Sequence, residues 1–142
     1  MHKYFKKKKL KLFHYVYNIT SNCKWLILSN SNWFSSKEAI FVGEMSPTAS
    51  GFRYQIKVVC SEKFYPKIFV TNMNFDGNRP EHLYEDNSLC LYLPSSNEYR
   101  PEDLVFPKLI DWTALWLYYY EIWLITDEWY GGGISHTTKD GE

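Results

Sequence analysis

The sequence has few cysteines, and they lack the spacing of a metal site or a redox motif. Only Cys23, Cys60 and Cys90 occur, so they cannot all pair within one chain. No two of them are separated by two residues, the spacing that zinc sites and dithiol motifs commonly use. We therefore expect reduced thiols in a cytoplasmic protein, with no bound metal or other cofactor.

Long hydrophobic runs are also missing. The most apolar segment, residues 109–126, contains Asp111 and Glu121, and its longest uncharged stretch is residues 112–120. That stretch is too short to cross a bilayer, and a carboxylate at mid-membrane costs about 3 kcal/mol on insertion scales. At the amino terminus, no small-residue cleavage site follows a clean apolar stretch. The sequence therefore predicts neither a membrane span nor a signal peptide.

The chain has no formal net charge, but its charges are unevenly placed. Sixteen basic and sixteen acidic side chains balance, which argues against a protein that coats nucleic acid, and we expect no specific nucleic-acid partner. Residues 1–37 carry eight lysines and no acid, whereas residues 98–142 carry three basic and nine acidic groups. The lysine run at residues 6–9 is either a solvated face or an electrostatic docking handle for an acidic partner or a membrane surface.

The length and composition are those of one globular domain. The chain has 142 residues and shows no internal repeat with a period of about 20 to 50 residues. Hydrophobic residues make up 45%, which argues against intrinsic disorder. Aromatic residues make up 19%, which indicates either a core packed with rings or a recognition surface. We therefore predict a single domain over residues 1–142.

The hydrophobic pattern predicts helix, then strands, then helix. Residues 3–20 have the spacing of an amphipathic helix, and residues 108–126 are the strongest helix. In the latter, a stripe three to four residues apart faces either the core or a partner, and it consists of Leu109, Trp112, Trp116, Tyr119 and Trp123. Between them, residues 39–43, 52–60 and 67–71 have the character of strands, and the middle one alternates apolar with polar residues. The predicted fold class is α+β: an antiparallel β-meander flanked by an amino-terminal helix and a tryptophan-rich carboxyl-terminal helix.

A long irregular segment, residues 72–88, precedes the cysteine with the strongest case for chemistry. If the chain is extended after it, Leu89 and Leu91 point to one face, and Cys90 and Tyr92 point to the other. A thiol held in place and aimed away from the core suits a nucleophile. Cys60 instead continues the apolar face of its strand and is predicted to be a core residue.

His82 lies in the same segment, eight residues before Cys90, with Tyr84 two residues further on. A histidine near a thiol either favours the thiolate as an imidazolium or holds the loop by hydrogen bonds. Spacing alone leaves both roles open.

Three separated motifs together resemble the core of ubiquitin-conjugating enzymes. They are Pro80-Glu81-His82-Leu83-Tyr84, then Asp86-Asn87-Ser88-Leu89-Cys90-Leu91-Tyr92-Leu93-Pro94, and finally the segment from Tyr120 to the glycines at 131–133 with His136. The resemblance is greatest to the bacterial branch that accompanies type II cyclic-oligonucleotide anti-phage (CBASS) operons. It covers residues 39–136, leaves 1–38 as a basic segment without a match and 137–142 as a loose tail, and implies a ubiquitin-conjugating (UBC-like) fold.

The resemblance implies thioester chemistry in anti-phage defence. Cys90 would hold a protein carboxyl terminus as a thioester and pass it to an amine. The implied partner is the cyclic-oligonucleotide synthase of the operon, or a ubiquitin-like carboxyl terminus, with an activating enzyme as a further partner. His82, Tyr84 and Asn87 are the candidates for positioning, and His136 is the candidate for handling protons.

The sequence departs from the eukaryotic pattern in one place. His82-Leu83-Tyr84 stands where that branch has His-Pro-Asn, so the family's asparagine is missing two residues after the histidine, and Asn87 is the residue that could replace it. Three other functions stay open: a non-catalytic binding module on the same fold, a thiol hydrolase that uses Cys90 and a histidine, and a lysine-rich adaptor.

Overall fold

The structure is a computed structural model that describes residues 2–93 and 98–131, without the side chains of residues 2–10 and 101. Its elements form an α+β arrangement in which helices pack on one antiparallel sheet, as the hydrophobic pattern predicts. In chain order they are α1 (His2–Asn22), β1 (Ile27–Leu28), α2 (Trp33–Ser36), β2 (Glu38–Met45), β3 (Tyr54–Ser61), β4 (Lys67–Val70), a 3₁₀ turn (Pro101–Asp103) and α3 (Lys108–Thr126).

The sheet has four strands in the order β1-β2-β3-β4, each antiparallel to its neighbour. The three strands of the predicted meander are present, and β1 adds a short edge strand at Ile27–Leu28. β3 begins at Tyr54, where its pairing with Met45 of β2 begins. Phe52, which was predicted as the first residue of this strand, lies in the preceding loop and is 46% exposed. From Tyr54 to Cys60 every second side chain of β3 is buried in the core, and Val59 and Ser61 on the opposite side of the strand are buried as well.

The core joins both long helices to that side of the sheet. α1 contributes Leu12, Val16 and Ile19, three of the apolar positions from which its sequence predicts a helix, together with Tyr15. α3 begins and ends at the predicted residues and buries Leu109 and Trp116, while Trp112 and Trp123 pack partly against the core. Aromatic rings therefore fill much of the interior, one of the two uses that the composition indicated.

A buried asparagine fastens α1 to the segment that leads into α3. The Asn18 Oδ1 accepts hydrogen bonds from the backbone N–H groups of Val105 and Phe106 at 3.1 and 2.8 Å. Its Nδ2 donates to the Phe106 carbonyl at 3.1 Å. One side chain thus satisfies three backbone groups that are about 88 residues away in sequence, and it fixes where α3 begins.

Within residues 2–93 and 98–131, no helix combines the length and the apolar character that a membrane crossing needs.

Candidate active site

Cys90 lies at the end of a short hairpin, residues 82–90, here called the site hairpin. Leu83 pairs with Leu89 in an antiparallel bridge. On either side of that bridge, the Cys90 N–H donates to the His82 carbonyl at 3.1 Å and the Tyr84 N–H donates to the Ser88 carbonyl at 2.9 Å. The pairing places His82 opposite Cys90, and residues opposite each other in such a pair have Cβ atoms about 5 Å apart. His82, Tyr84 and Cys90 therefore share one side of the hairpin.

Contacts to the sheet and to α3 hold the site hairpin in position. Leu83 and Leu89 point into the core, and the Leu89 N–H donates to the Ile68 carbonyl of β4 at 2.8 Å. The indole N–H of Trp116 donates to the His82 carbonyl at 2.9 Å. That carbonyl accepts from both Trp116 and Cys90, so the backbone beside the thiol is fixed from two directions.

The turn of the hairpin is closed by charged side chains. Arg79 donates to the Asn87 Oδ1 at 2.6 Å and to the Tyr84 carbonyl at 2.8 Å, and Asn87 has a left-handed backbone with φ of 74°. Asp86 accepts from Lys67 at 2.8 Å and from the Ser88 hydroxyl at 2.6 Å. Desolvation raises the pKa of Asp86, but these hydrogen bonds outweigh it and lower the pKa to about 2. The Asp86 carboxylate therefore stays ionised, and its ion pair with Lys67 holds the turn against β4.

The Cys90 thiol is the most accessible of the three. Cys90 is partly exposed, whereas Cys23 is 1% and Cys60 is 0% exposed and both lie in the core. Its Sγ lies 3.7 Å from the Tyr92 carbonyl. Burial of the sulfur raises the pKa of Cys90, and the charge of Glu98 raises it further, while its hydrogen bonds with the Tyr84 hydroxyl and with the Tyr92 backbone lower it. The pKa of Cys90 stays above its usual value, so the hydrogen bonds offset the burial only in part.

Tyr84 is the side chain that donates to the sulfur. Burial raises the pKa of Tyr84, and the neighbouring charge of Cys90 raises it as well, so the hydroxyl keeps its proton at physiological pH. A protonated phenol beside a thiol donates most strongly to the charged form of the sulfur.

We expect Tyr84→Phe to move the pH profile of Cys90 alkylation by iodoacetamide to higher pH. The substitution removes the donor that favours the thiolate, so the pKa of Cys90 rises and a smaller fraction of the thiol is ionised at pH 7. A hydrogen bond to a charged group contributes about 1.5–3 kcal/mol, which corresponds to alkylation at least about tenfold slower at pH 7. Tyr118→Phe, a matched change at an exposed position on α3, should leave the profile unchanged. An unaltered profile in Tyr84→Phe contradicts the assignment.

The structure places the predicted site residues in three groups. The first group lies together on the site hairpin and consists of Cys90, His82 and Tyr84. The His82 side chain is 7% exposed, and its ring centroid lies 5.1 Å from that of Trp129. Asn87 directs its side-chain oxygen to Arg79, a contact that stabilises the loop. His136, like residues 94–97 and the tail at 137–142, lies outside the described residues.

The predicted outward direction of Tyr92 is wrong. The chain bends at Tyr92, so the alternation of an extended strand is lost after Cys90, and both Leu91 and Tyr92 pack against the core. The Tyr92 ring lies 5.0 Å from Tyr99 and 6.0 Å from Trp112, centroid to centroid. Beside the thiol there is accordingly an aromatic wall that reaches the first turns of α3.

Sequence reasoning missed the residues that hold the site from a distance. Arg79 and Glu98 carried no motif, although Arg79 stands in the same irregular segment as the hairpin. Trp116 belonged to the core-facing stripe of the tryptophan-rich helix, but its hydrogen bond to His82 was not predicted. Among the described residues there is no group of three or more His, Cys, Asp or Glu side chains that could hold a metal ion. The described part of the site centres on the Cys90 thiol with the Tyr84 hydroxyl beside it.

Comparison with models of protein families identifies the family to which this site belongs. The family model E2-CBASS, described as the type II CBASS E2 protein, matches residues 15–137. The match includes the whole site hairpin, and it begins within α1, ahead of residue 39 where the sequence resemblance began. No curated protein matches the chain.

Proposed function

Because the chain belongs to the type II CBASS E2 family, we propose that it acts as an acyl transferase that forms a thioester on Cys90. Family membership gives it an E2-like role in CBASS defence. The observation that carries the proposal is the placement of Cys90: a partly exposed thiol at the end of a braced hairpin, hydrogen-bonded by Tyr84.

In the first step, the Cys90 thiolate attacks the carbonyl carbon of an activated carboxyl terminus. A carbon–sulfur bond forms, and the group that activated the carboxyl leaves with its electron pair. The Tyr84 hydroxyl lies beside the sulfur and is the described side chain best placed to stabilise charge there, first on the thiolate and then on the oxyanion. Burial raises the pKa of Cys90, so the free thiol is mainly neutral, and loss of its proton accompanies the attack.

In the second step, an amine attacks the thioester carbonyl. A carbon–nitrogen bond forms, the carbon–sulfur bond breaks and the thiolate returns to Cys90. The amine must lose a proton, for which His82 on the same side of the hairpin and His136 are the candidates. Asn87 has the supporting role of holding the turn through Arg79. The negative charge of Glu98, which acts on the thiol, would also attract an incoming ammonium group.

The proposed acyl donor is a protein carboxyl terminus, with that of the cyclic-oligonucleotide synthase of the operon as the leading candidate. This assignment, with an activating enzyme as a further partner, comes from the family resemblance, whereas the cytoplasmic site of action is proposed from the three unpaired cysteines. The amine acceptor is not specified by any described contact.

The test uses a synthetic α-thioester of the synthase's carboxyl-terminal peptide, which removes the need for an activating enzyme. We expect intact-protein mass spectrometry to detect an adduct of one peptide acyl group, and dithiothreitol to release it. Addition of lysine amide should convert the adduct to a peptide amide. Release of the free peptide acid in place of the amide would identify a thiol hydrolase. Peptide binding without any covalent product would identify a non-catalytic binding module.

A further inference from the structure

The two carboxylate oxygens of Glu121 differ in the number of hydrogen bonds that they accept. Its Oε2 accepts hydrogen bonds from three hydroxyl groups, those of Tyr54, Thr48 and Ser50, at 2.5, 2.8 and 3.0 Å. Within the part of the chain that the structure describes, its Oε1 accepts none. Glu121 stands among apolar residues of α3, and the three hydroxyl groups hold its carboxylate there but occupy only one of its oxygens.

The carboxylate is ionised at neutral pH. Desolvation raises the pKa of Glu121, but the hydrogen bonds from Tyr54, Thr48 and Ser50 outweigh it and the pKa falls below its usual value. The ionised carboxylate can therefore attract a cation.

Glu121 lies on the wall of an apolar groove of about 410 Å³ between the β2–β3 turn and the end of α3. The groove is lined mainly by apolar and aromatic side chains, namely Phe52, Tyr54, Met73, Tyr120 and Leu124. The Phe52 and Tyr54 rings meet edge to face, with centroids 4.7 Å apart. Aromatic faces beside a carboxylate favour a cation carried on an apolar stem, because they attract the charge and bury the methylene groups.

The cation that would pair with Glu121 has to come from another molecule. Arg53, the basic residue nearest in sequence to the groove lining, is paired with Glu44 at 3.9 Å, and its side chain is 74% exposed. On α3 and the residues that follow it as far as Gly131, the charges after Lys108 are all negative. This end of the molecule therefore complements a basic partner.

The groove is separate from the thiol. Trp112, which contacts the aromatic wall beside Cys90, precedes Glu121 by nine residues on α3, a distance of about 14 Å along the helix axis. An occupant of the groove can therefore be present while Cys90 carries an acyl group.

We propose that this groove is a docking site for a lysine or arginine side chain of a partner protein. The cation pairs with the free oxygen of Glu121, and its apolar stem lies on Phe52, Tyr120 and Leu124. This goes beyond the proposed transfer reaction, because it assigns a second contact surface that holds the partner away from the thiol. It does not depend on Cys90.

The experiment is a titration of the full chain with N-acetyl-leucyl-arginine amide, followed by the backbone amide resonances of Ser50, Gly51 and Phe52. We expect a saturable shift at millimolar concentration that weakens as sodium chloride is added. The citrulline counterpart has nearly the same shape without the charge, and it should bind at least about fivefold more weakly. Equal binding of the two peptides overturns the proposal.

Three variants define the site. Glu121→Gln and Leu124→Arg should each abolish the shift, the first by removing the charge and the second by placing a cation in the groove. Leu124 is 52% exposed, so its replacement should not prevent folding. Asp111→Asn, at an exposed acid of the same helix outside the lining, is the matched control and should bind normally. Retained binding in Glu121→Gln, or loss in Asp111→Asn, refutes the proposal. Since no acyl transfer is measured, these results are independent of the thioester test.

Discussion

Cys90→Ala should abolish the covalent adduct with a peptide thioester completely, whereas Cys23→Ala should leave it intact. The physical reason is access: the Cys90 sulfur is partly exposed and has hydrogen-bond donors beside it, while Cys23 is enclosed in the core. Removing the sulfur removes the nucleophile, and the hairpin provides no second thiol to replace it. Intact-protein mass spectrometry of each variant after incubation with the peptide thioester measures the result.

Two further variants sharpen that comparison. In Cys90→Ser any adduct should be an oxygen ester, which forms more slowly and which dithiothreitol does not release, because a neutral hydroxyl is a much weaker nucleophile than a thiolate. Cys60→Ala should keep the adduct, since burial raises the pKa of Cys60 to about 12 and removes it from solvent. Its thermal melt must be recorded, because the change leaves a small cavity in the core. An adduct that persists in Cys90→Ala refutes the thioester proposal.

The parts of the fold that could be predicted are those with a long, regular pattern. α3 repeats its core positions from Leu109 to Tyr120, and β3 alternates from Tyr54 to Val58, so both elements follow from periodicity. β1 has only Ile27 and Leu28, too few residues to show any period, and its pairing with β2 is a tertiary contact. The start of β3 was placed two residues early because Phe52 continues the alternation although its ring stays outside the core.

The candidate site also consists of some residues that the sequence predicts and others that it does not. His82, Tyr84 and Cys90 stand within nine residues, and a local motif was enough to select them, although the hydrogen bond from Tyr84 to the sulfur required the hairpin geometry. The residues that brace the hairpin are distant: Trp116 reaches His82 from 34 positions away, and Lys67 reaches Asp86 from 19. No local pattern encodes such pairs, so they become visible only in the folded chain.

Asn18→Ala should lower the free energy of unfolding by about 3 kcal/mol, because it leaves the N–H groups of Val105 and Phe106 unsatisfied where water has little access. In a domain of this size that corresponds to a decrease in Tm of about 10 °C, which circular dichroism can follow. The same change frees the segment before α3, the helix whose Trp116 holds the His82 carbonyl. We therefore expect slower adduct formation on Cys90 as a secondary effect.

Asn22→Ala is the matched control for this effect. Asn22 lies one turn further along α1 and donates only to the Asn18 carbonyl within the same helix, at an exposed position. Its loss should change the free energy of unfolding by less than about 0.5 kcal/mol, as is usual for exposed sites. Equal destabilisation by the two variants would show that α1 is stabilised through helix formation alone. A large difference would show that the buried link from α1 to the start of α3 stabilises the fold, and that the helix is part of the domain that carries the site.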